Sequence, residues 1–432
     1  MVMHTLALHL KEIQGKSLLL AHSGGVDSCV LAHVLLQNKM PFSVAHCNFQ
    51  LREKASNEDS EFVKKWCAAH KIPFHSHSFD TELYKEKFKK GTQEAARELR
   101  YQWFNHLMEM EGFEVLLTAH HLNDQLETFL LNATRGTGIS GLLGIPQTQK
   151  IIRPLASISK KEILSYASHH NIQWREDASN QTNVYLRNQI RHRVVAPLEE
   201  FKPEALENFK VTLKHLSEAE KFIGIQLDGL KSVIFKKQHD TFSIAIQELT
   251  KLNPLNFCLH HWFAPLGFDA KEVQKLLHAL PGKQLFGTSH RLIRDRDYLL
   301  LTPLSEENLE EFPFDLEQPN HKLPIALEWN DVDVPVRDQW EANEAFLDKD
   351  LLKTPLSIRK YKEGDYFCPT GMKGKKLLSK FFKDEKYSLL EKERQWLLCS
   401  KDKIVWVLGR RCDRRFIANA RTENKLLMRL SE

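Results

Sequence analysis

Six consecutive residues, Ser23-Gly24-Gly25-Val26-Asp27-Ser28, carry the strongest chemical signal in the sequence. They follow a short apolar run at residues 17–21 and precede a helical pattern at residues 29–36. Glycines allow a tight turn that exposes backbone N–H groups, and the N-terminus of a helix adds partial positive charge. The two serine hydroxyls can donate hydrogen bonds to phosphate oxygens. We therefore predict a phosphate-binding loop that begins where the strand ends at Ala21. The alternative is a strand-to-helix turn that merely uses glycine.

Asp27 carries a negative charge inside this predicted anion site. A carboxylate repels phosphate unless a cation lies between them, so Asp27 is predicted to ligate Mg²⁺ or to orient the loop. The loop lacks the GK[ST] ending of a Walker A motif and the spacing of a GxGxxG dinucleotide motif. It therefore belongs to a different class of nucleotide-binding loop.

A second cluster, His120, His121, Asp124 and Glu127, follows a later apolar run at residues 115–119. Asp124 and Glu127 are three residues apart in a helical pattern, so they share one face of the helix. Such a pair can hold a small cationic substrate, or it can simply offset the helix dipole. The two histidines lack HExxH spacing and a cysteine partner, so we assign them to the pocket and not to a metal.

Several basic residues are candidates for contacts with phosphate. Arg97 and Arg100 share a helical face, and a guanidinium group suits a phosphate or a carboxylate. Arg135 and Gly136 begin a second glycine-containing loop that could clamp pyrophosphate or a target base. The remaining candidates are His46 and Arg52, just past the second strand, and the cluster Arg187, Arg191, His192 and Arg193. For the cluster we predict an RNA-phosphate contact, with a solvated helix face as the alternative.

Alternating strands and helices must position these groups. Apolar runs at residues 17–21, 42–47, 72–79 and 115–119 predict strands, and helical patterns at 29–36, 58–70, 92–111 and 122–133 alternate with them. This alternation predicts an α/β fold, with a Rossmann-like parallel sheet covered on both faces. Ligands bind such sheets at the carboxyl ends of the strands, which is where both clusters fall.

The chain of 432 residues is long enough for about three domains. We predict a catalytic domain at residues 1–217, a helical or mixed middle domain at 218–312 and a small mixed α/β C-terminal domain at 330–432. Residues 200–235 read as a helix that leads out of the first domain. Residues 303–330 are acidic and contain prolines, which suits a linker.

Charge is unevenly distributed along the chain. The formal net charge is only +5. However, residues 301–350 hold 3 basic and 14 acidic side chains, and residues 351–432 hold 21 basic and 10 acidic ones. A basic block of that size predicts a polyanionic partner, because Lys and Arg release counterions from phosphate backbones. The aromatic residues within this block are predicted to form a small core.

Membrane and disulfide-rich proteins are excluded by composition. No apolar run approaches the length of a membrane span, and the N-terminus lacks the pattern of a cleaved signal. The seven cysteines include no CxxC pair, which argues against a zinc ribbon or an iron–sulfur site. We expect unpaired thiols and a cytoplasmic protein.

The order of the motifs resembles the tRNA(Ile)-lysidine synthetase family within the N-type ATP pyrophosphatases. The motifs that carry this resemblance are Ser23–Ser28, Ala45–Arg52, Ala96–Tyr101, Thr118–Thr128, Arg135–Gly138, Arg153–Leu155, Trp174–Asp177, Tyr185–Arg191, Gly364-Asp365, Pro369–Gly371, Lys375–Leu377, Lys380–Phe382 and Trp406–Gly409. It covers nearly the whole chain and is weakest at residues 230–340. One departure is Asn123, where the family usually carries a second aspartate, so this position supplies no charge.

The resemblance implies a two-step ligation that uses ATP and Mg²⁺. The substrates would be free L-lysine and tRNA-Ile with a CAU anticodon, and the oligomeric state stays open between monomer and homodimer. It implies catalytic roles for Asp27, Asp124 and His120, with Asp27 as the metal ligand. It implies nucleotide binding by Ala21, Ser23, Gly24, Gly25, Val26, Asp27, Ser28, His46, Arg135 and Gly136, and binding of lysine or tRNA by Arg52, Arg97, Arg100, His121, Asp124, Glu127, Arg187 and Arg191.

Three alternatives differ in the chemistry that they require. A tRNA 2-thiolation enzyme shares the loop but typically needs paired cysteines. A non-catalytic RNA-binding protein would not need an intact loop together with Asp124 and Glu127. An amidotransferase-type synthetase needs an N-terminal nucleophilic cysteine, whereas Cys29 follows the loop.

Overall fold

The fold is described from a computed structural model of the chain. The structure describes residues 10–50, 53–146, 148–175, 186–304, 311–317, 323–333 and 341–431. The chain divides into two compact units, Met1–Ile225 and Gln226–Glu432.

The first unit is built on a five-stranded parallel sheet, as the sequence predicts. The strands are β1 (Leu18–Ala21), β2 (Ser43–Asn48), β3 (Phe74–Ser78), β4 (Val115–Leu117) and β5 (Ile151–Ile152), in the order β3-β2-β1-β4-β5. The strand order reverses between β1 and β4. In open parallel sheets, ligands bind in the crevice at the carboxyl ends of the strands beside such a reversal.

Helices lie between these strands along the chain and continue after β5. They are α1 (Val26–Gln37), α2 (Glu53–Ala69), α3 (Thr81–Phe88), α4 (Thr92–Glu111), α5 (Leu122–Arg135), α6 (Ile139–Leu142), α7 (Lys160–His169), α8 (Leu186–Ile190), α9 (Ala196–Phe201) and α10 (Ala205–Ile234). The side chains of β1 alternate between two apolar layers: Leu18 and Leu20 pack with α1, and Leu19 packs with α4. β1 is therefore buried on both faces, which explains its continuous apolar run.

Capping explains two helices that the sequence patterns did not predict. Asp80 caps α3 by accepting a hydrogen bond from the Leu83 N–H. Ser159 caps α7 by accepting from the Glu162 N–H, and the Glu162 carboxylate accepts in return from the Ser159 N–H. Such short helices depend on their caps, because each cap satisfies backbone groups that have no intrahelical partner. The predicted helix at residues 200–235 is confirmed as α10, which has 30 residues.

The second unit contains antiparallel sheets. Its strands are β6 (Phe235–Gln238), β7 (Thr241–Ala245), β8 (Gln284–Phe286), β9 (His290–Asp295), β10 (Tyr298–Pro303), β11 (Phe312–Phe314), β12 (Leu327–Asp331), β13 (Glu344–Asp348), β14 (Leu356–Lys360), β15 (Tyr366–Phe367), β16 (Lys376–Leu377), β17 (Trp396–Ser400), β18 (Lys403–Val407), β19 (Arg411–Cys412) and β20 (Lys425–Leu430). The sheet orders are β6-β7-β10-β9-β8, β11-β14-β17-β18-β19, β12-β20-β13 and β15-β16.

Helices also occur among these strands along the chain. They are α11 (Ile246–Thr250), α12 (Leu255–Phe263), α13 (Ala270–Leu277), α14 (Leu378–Asp384) and α15 (Leu389–Arg394). The mixed helical and antiparallel character of the middle and C-terminal parts agrees with the predicted fold class.

The linker interpretation of residues 303–330 is wrong for the parts that the structure describes. β11 pairs with β14, and β12 pairs with β20, so both strands of this acidic region belong to C-terminal sheets. Phe314 and Leu327 alternate with more exposed neighbours and enter the hydrophobic core. Alternation over three to five residues is too short to stand out against proline and acidic composition, and only the tertiary contacts identify the strands.

Side-chain burial agrees with two further predictions. Phe367, Phe381, Phe382 and Trp406 of the basic block are fully buried core residues. All seven cysteines lie in the described ranges and are free. Among the residues that can be described, no helix combines the length and apolar character needed to cross a membrane.

Candidate functional site

The predicted phosphate loop connects the carboxyl end of β1 to the N-terminus of α1. Gly24 adopts φ +87°, a left-handed conformation that glycine enters at little cost. Gly25 is extended, with φ −74° and ψ 160°, and directly precedes the first turn of α1. The loop therefore turns sharply, and its serines lie at the positive end of the α1 dipole.

His22 contacts this loop through hydrogen bonds. The sequence patterns did not single out this residue. Its Nδ1 accepts a hydrogen bond from the Gly24 N–H at 3.1 Å and lies 3.3 Å from the Ser28 Oγ. Burial lowers the pKa of His22 to about 3, with a smaller contribution from His46. The ring is therefore neutral at pH 7, and the hydrogen bond from Gly24 identifies Nδ1 as the acceptor.

The loop serines are linked to each other and to the backbone. The Ser28 hydroxyl donates to the Gly25 carbonyl at 2.9 Å, and the Ser23 Oγ accepts from the Gly25 N–H at 3.3 Å. The two hydroxyl oxygens are 3.3 Å apart. Both hydroxyls can reorient toward a phosphate with little backbone change.

Asp27 in the first turn of α1 pairs with Lys160, which is also absent from the sequence predictions. The Lys160 Nζ lies 2.6 Å from the Asp27 Oδ1. Lys160 is the first residue of α7, and its backbone N–H donates to the Asn123 Oδ1 at 2.9 Å. Asn123 in turn donates to both carboxylate oxygens of Glu199, at 3.2 and 3.1 Å. Asn123 thus connects the starts of α5 and α7 to α9.

The start of α5 carries the second predicted cluster. His121 is its N-cap and forms a reciprocal capping box with Asp124. His121 Nε2 lies 3.9 Å from the Asp27 Oδ1, which brings the two clusters together. Burial lowers the pKa of His120 to about 4, and the ring accordingly stays neutral at pH 7.

Two arginines that the sequence assigned to RNA contacts instead bind the carboxylates of α5. Arg187 donates to the Glu127 Oε2 at 2.8 Å and to the Asp124 Oδ1 at 3.2 Å. Arg191 donates to the two Glu127 oxygens at 2.6 and 3.1 Å. Glu127 is fully buried, so these bonds supply the partners that a buried charge requires.

His121 and Arg187 favour the ionised form of Asp124. Burial alone would raise the pKa of the Asp124 carboxyl, but His121, Arg187 and His120 together lower it to about 2. Arg191 begins a short π-helical turn, Arg191–Val195, which connects α8 to α9. Such turns often occur at functional sites, where they reorient side chains.

A cavity of about 580 Å³ opens between these elements at the carboxyl edge of the sheet. Nine of the predicted site residues line it: Ala21, Ser23, Gly25, Val26, Asp27, Ser28, Arg100, His120 and Asp124. The cavity thus brings the loop, the long helix α4 and the start of α5 to one place.

Other predicted residues lie behind or away from the cavity. His46 is buried behind the loop, where its Nδ1 lies 2.9 Å from the His22 carbonyl oxygen. Arg97 is exposed and stacks on Tyr101. Arg135 and Gly136 end α5, roughly 16 Å along the helix from Asp124. Arg52 lies outside the described residues.

Several lining residues received no site role from the sequence, although five of them lie within the motifs named above. The lining includes Cys47, Phe49, Asp59, Tyr101, Lys160, Trp174 and Arg175. Arg175 binds the Asp59 and Glu58 carboxylates at 2.6 and 2.9 Å, and its N–H donates to the Gly24 carbonyl. The capping sequence Ser159–Glu162 was the available signal for Lys160, because it predicts a helix that begins there.

The side chains around the loop offer few ligands for a metal ion. Within the described ranges, no group of three or more His, Cys, Asp or Glu side chains is arranged to hold a metal ion. Asp27 is a single carboxylate that lines the cavity beside the phosphate loop. This fits Mg²⁺, which typically takes one or two carboxylates and completes its shell with phosphate oxygens and water.

Comparison with known proteins adds three family matches. Residues 2–198 match the family described as a PP-loop domain, residues 237–304 match a TilS substrate-binding domain, and residues 356–428 match a TilS substrate C-terminal domain. The three matches follow one another along the chain and cover both units.

Curated relatives extend over nearly the full length. The chain is 36% identical to the tRNA(Ile)-lysidine synthase of Parabacteroides distasonis, and the match covers 99% of both chains. It is 35% identical to the protein of the same name from Bacteroides thetaiotaomicron, over 96% of this chain and 95% of the relative. The protein of that name from Bacillus subtilis is 27% identical, over 93% and 91%.

Proposed function

This chain belongs to the tRNA(Ile)-lysidine synthase family, and on that premise we propose that it joins free L-lysine to a tRNA-Ile at the expense of ATP. The target is C2 of the wobble cytidine in a CAU anticodon, and the products are lysidine, AMP and pyrophosphate. The protein acts in the cytoplasm, where these substrates are found.

The observation that carries this proposal is the phosphate loop at the edge of the 580 Å³ cavity. Ser23, Ser28 and the N-terminus of α1 offer hydroxyl and backbone donors to a polyphosphate. Asp27 would hold Mg²⁺ there, and the ion would neutralise phosphate charge. The cavity is large enough for a small ligand and continues from the loop to the start of α5.

The proposed reaction has two steps. The C2 oxygen of the cytidine attacks the α-phosphate of ATP, and pyrophosphate leaves. The lysine ε-amine then attacks C2, and AMP leaves with that oxygen. The protein contributes mainly by placing the reactants and by stabilising the phosphate charge.

The structure favours different roles for the two carboxylates of α5. Asp124 lines the cavity and is ionised, so we assign it to the ammonium group of lysine. Glu127 is fully buried and is bound by Arg187 and Arg191, so it anchors these arginines. We therefore propose that Arg187 and Arg191 position Asp124, and that tRNA phosphates are bound elsewhere.

The amine of lysine must lose a proton before it attacks. His120 is neutral and lines the cavity close to Asp124. The Thr118 hydroxyl lies 3.0 Å from its Nδ1 and fixes the orientation of the ring. His120 is thus placed to hydrogen-bond a substrate, and Asp124 is placed to hold the charged amine before deprotonation.

The alternative of tRNA 2-thiolation is less compatible with the cavity. Cys47 is the cysteine that lines it among the described residues. Burial raises the pKa of the Cys47 thiol to about 12. The thiolate is the reactive form in sulfur transfer, so a thiol that stays protonated at pH 7 is poorly suited to that chemistry.

The decisive test supplies ATP, Mg²⁺, labelled lysine and bulk bacterial tRNA to the purified protein. We expect label in tRNA that survives mild alkali, because lysidine carries lysine on a base carbon. Label that is lost in alkali would indicate an ester bond to ribose, and an absence of label would refute the proposal.

Asp27→Ala is expected to abolish tRNA-dependent pyrophosphate release, because the variant loses the proposed metal ligand. The measurement is pyrophosphate release with and without tRNA. Glu61→Ala, which removes an exposed carboxylate from α2, serves as the control and should behave as the unmodified protein. Unchanged release in the Asp27 variant would reject the loop assignment.

A further inference from the structure

Lys160 presents its ammonium group to the same cavity as the phosphate loop. Its Nζ lies 2.6 Å from the Asp27 Oδ1, and both residues line the cavity. The two side chains remain 35% and 27% exposed. An ion pair with that exposure contributes little to stability, so stability alone does not account for the arrangement.

The backbone of Lys160 is held in place by the cap of α7 and by α5. Ser159 caps α7 and is itself bound by Glu162. The Lys160 N–H donates to the Asn123 Oδ1 at 2.9 Å, and Asn123 is buried at the start of α5. A flexible side chain thus extends from an anchored backbone, so the ammonium can move while its origin stays fixed.

The other cations of the cavity have partners that do not belong to the phosphate loop. Arg175 is bound by Asp59 and Glu58, and the Arg100 guanidinium lies 5.2 Å from the centre of the Phe49 ring. Lys160 instead pairs with the carboxylate that is proposed to hold Mg²⁺. When a nucleotide binds, Mg²⁺ and the Lys160 ammonium compete for Asp27. The phosphate oxygens then offer Lys160 an alternative anionic partner.

We propose that Lys160 binds the triphosphate of ATP and that Asp27 holds its ammonium when no nucleotide is bound. This inference rests on the proposed function, since it concerns the same nucleotide site. When the cavity is empty, the Lys160 ammonium neutralises the charge of Asp27. When ATP binds, Lys160 exchanges this carboxylate for the phosphates. Its contact is with phosphates beyond the α-phosphate, so it distinguishes ATP from AMP.

Equilibrium binding to the full-length protein tests the proposal without turnover. ATP and AMP are titrated in the presence of Mg²⁺, with no tRNA and no lysine, and heat or fluorescence is recorded. Lys160→Gln is expected to weaken ATP binding about tenfold or more and to change AMP binding less than twofold. Lys160→Arg should recover part of the loss, and the exposed neighbour in Lys161→Gln should bind as the unmodified protein.

The partner exchange has a second, independent readout. In Asp27→Asn the ammonium of Lys160 is released, so ATP binding without Mg²⁺ is expected to strengthen. The gain should disappear in the Asp27→Asn/Lys160→Gln double variant. If ATP binding strengthens equally in the single and the double variant, the gain comes only from the loss of repulsion between Asp27 and the phosphates. That result would refute the proposed exchange of partners.

The failures of the two proposals are distinguishable. If the unmodified protein binds ATP while Lys160→Gln binds it equally well, the role of Lys160 is wrong and the proposed function stands. Equal losses for ATP and AMP would also refute the role, because a triphosphate contact cannot act on AMP. An unmodified protein that binds no ATP would refute both proposals.

Discussion

At the scale of single residues, His22 shows how a buried polar group can shape a phosphate loop. It lies between the last residue of β1 and Ser23, and it is 2% exposed. Its Nδ1 accepts the Gly24 N–H, which fixes the residue with the left-handed conformation. A protonated ring could not accept this bond, so the loop geometry requires the neutral form.

His22 should therefore make stability depend on pH. The pKa is 6.5 when unperturbed and falls to about 3 in the folded protein. The contribution of the neutral His22 ring to the free energy of unfolding is complete above pH 6.5. It is lost progressively as the pH falls toward 3. At pH 5 the loss amounts to about 2 kcal/mol. We expect His22→Asn, whose amide oxygen can replace Nδ1, to reduce the fall in unfolding free energy between pH 7 and pH 5 by about that amount.

Urea unfolding at several pH values measures this dependence. His106→Asn, at an exposed position of α4, is the matched control and should retain the full pH dependence. An unchanged pH dependence in His22→Asn would show that the histidine is not buried as a neutral ring.

At the scale of elements, Asn123 connects three helices behind the site. Its amide oxygen accepts the first N–H of α7, and its amide nitrogen donates to Glu199 of α9. The aspartate that the family usually carries could not donate to Glu199 and would place two carboxylates in contact. Asn123, which departs from the family pattern, is thus matched by Glu199, which needs an amide donor at this position.

Asn123→Asp is expected to lower the free energy of unfolding by about 1–3 kcal/mol, because a buried hydrogen bond is replaced by repulsion. Glu199→Gln in the same background should restore much of the loss, since an amide can donate to the new carboxylate. Thermal and urea unfolding of the four proteins form a double-mutant cycle.

The neighbouring Glu200, which is exposed on α9, gives the control for this cycle. Glu200→Gln should not rescue Asn123→Asp. Equal rescue by both glutamines would indicate a general charge effect and would contradict a direct contact between Asn123 and Glu199.

At the scale of the whole molecule, the acidic and basic blocks belong to the same C-terminal sheets. Lys362 pairs with Glu311 of the acidic block, and Lys349 pairs with Asp331 within it. Other cations are also neutralised: Arg415 binds the buried Asp413. Fewer basic groups are therefore available to a polyanion than the count of 21 basic residues suggests. Lys373, Lys375 and Lys380 remain exposed.

Removal of these three charges should weaken tRNA binding in a salt-dependent way. For Lys373→Gln/Lys375→Gln/Lys380→Gln, the slope of log affinity against log salt concentration is expected to fall by up to about 2–3. Fluorescence anisotropy with labelled tRNA from 50 to 300 mM KCl, roughly the range where such slopes are measured, gives the slope.

A triple variant of the first unit controls for total charge. Lys39, Lys64 and Lys65 are exposed in α2 and in the turn after α1. Their replacement by Gln should leave the salt dependence nearly unchanged. If both triple variants reduce the slope equally, binding follows net charge and the C-terminal cluster has no specific role.

The parallel sheet, the phosphate loop and the two clusters at the sheet edge could all be predicted from the amino-acid sequence. These are local signals: β1 is a continuous apolar run, and Gly24 is needed for a turn with positive φ. Only the tertiary structure decided the partners of the charged groups. Asp27 meets Lys160 across 133 positions, and Glu127 meets Arg187 across 60. Burial and ion pairing depend on which elements pack together, so no local pattern could have shown that Arg187 and Arg191 bind carboxylates.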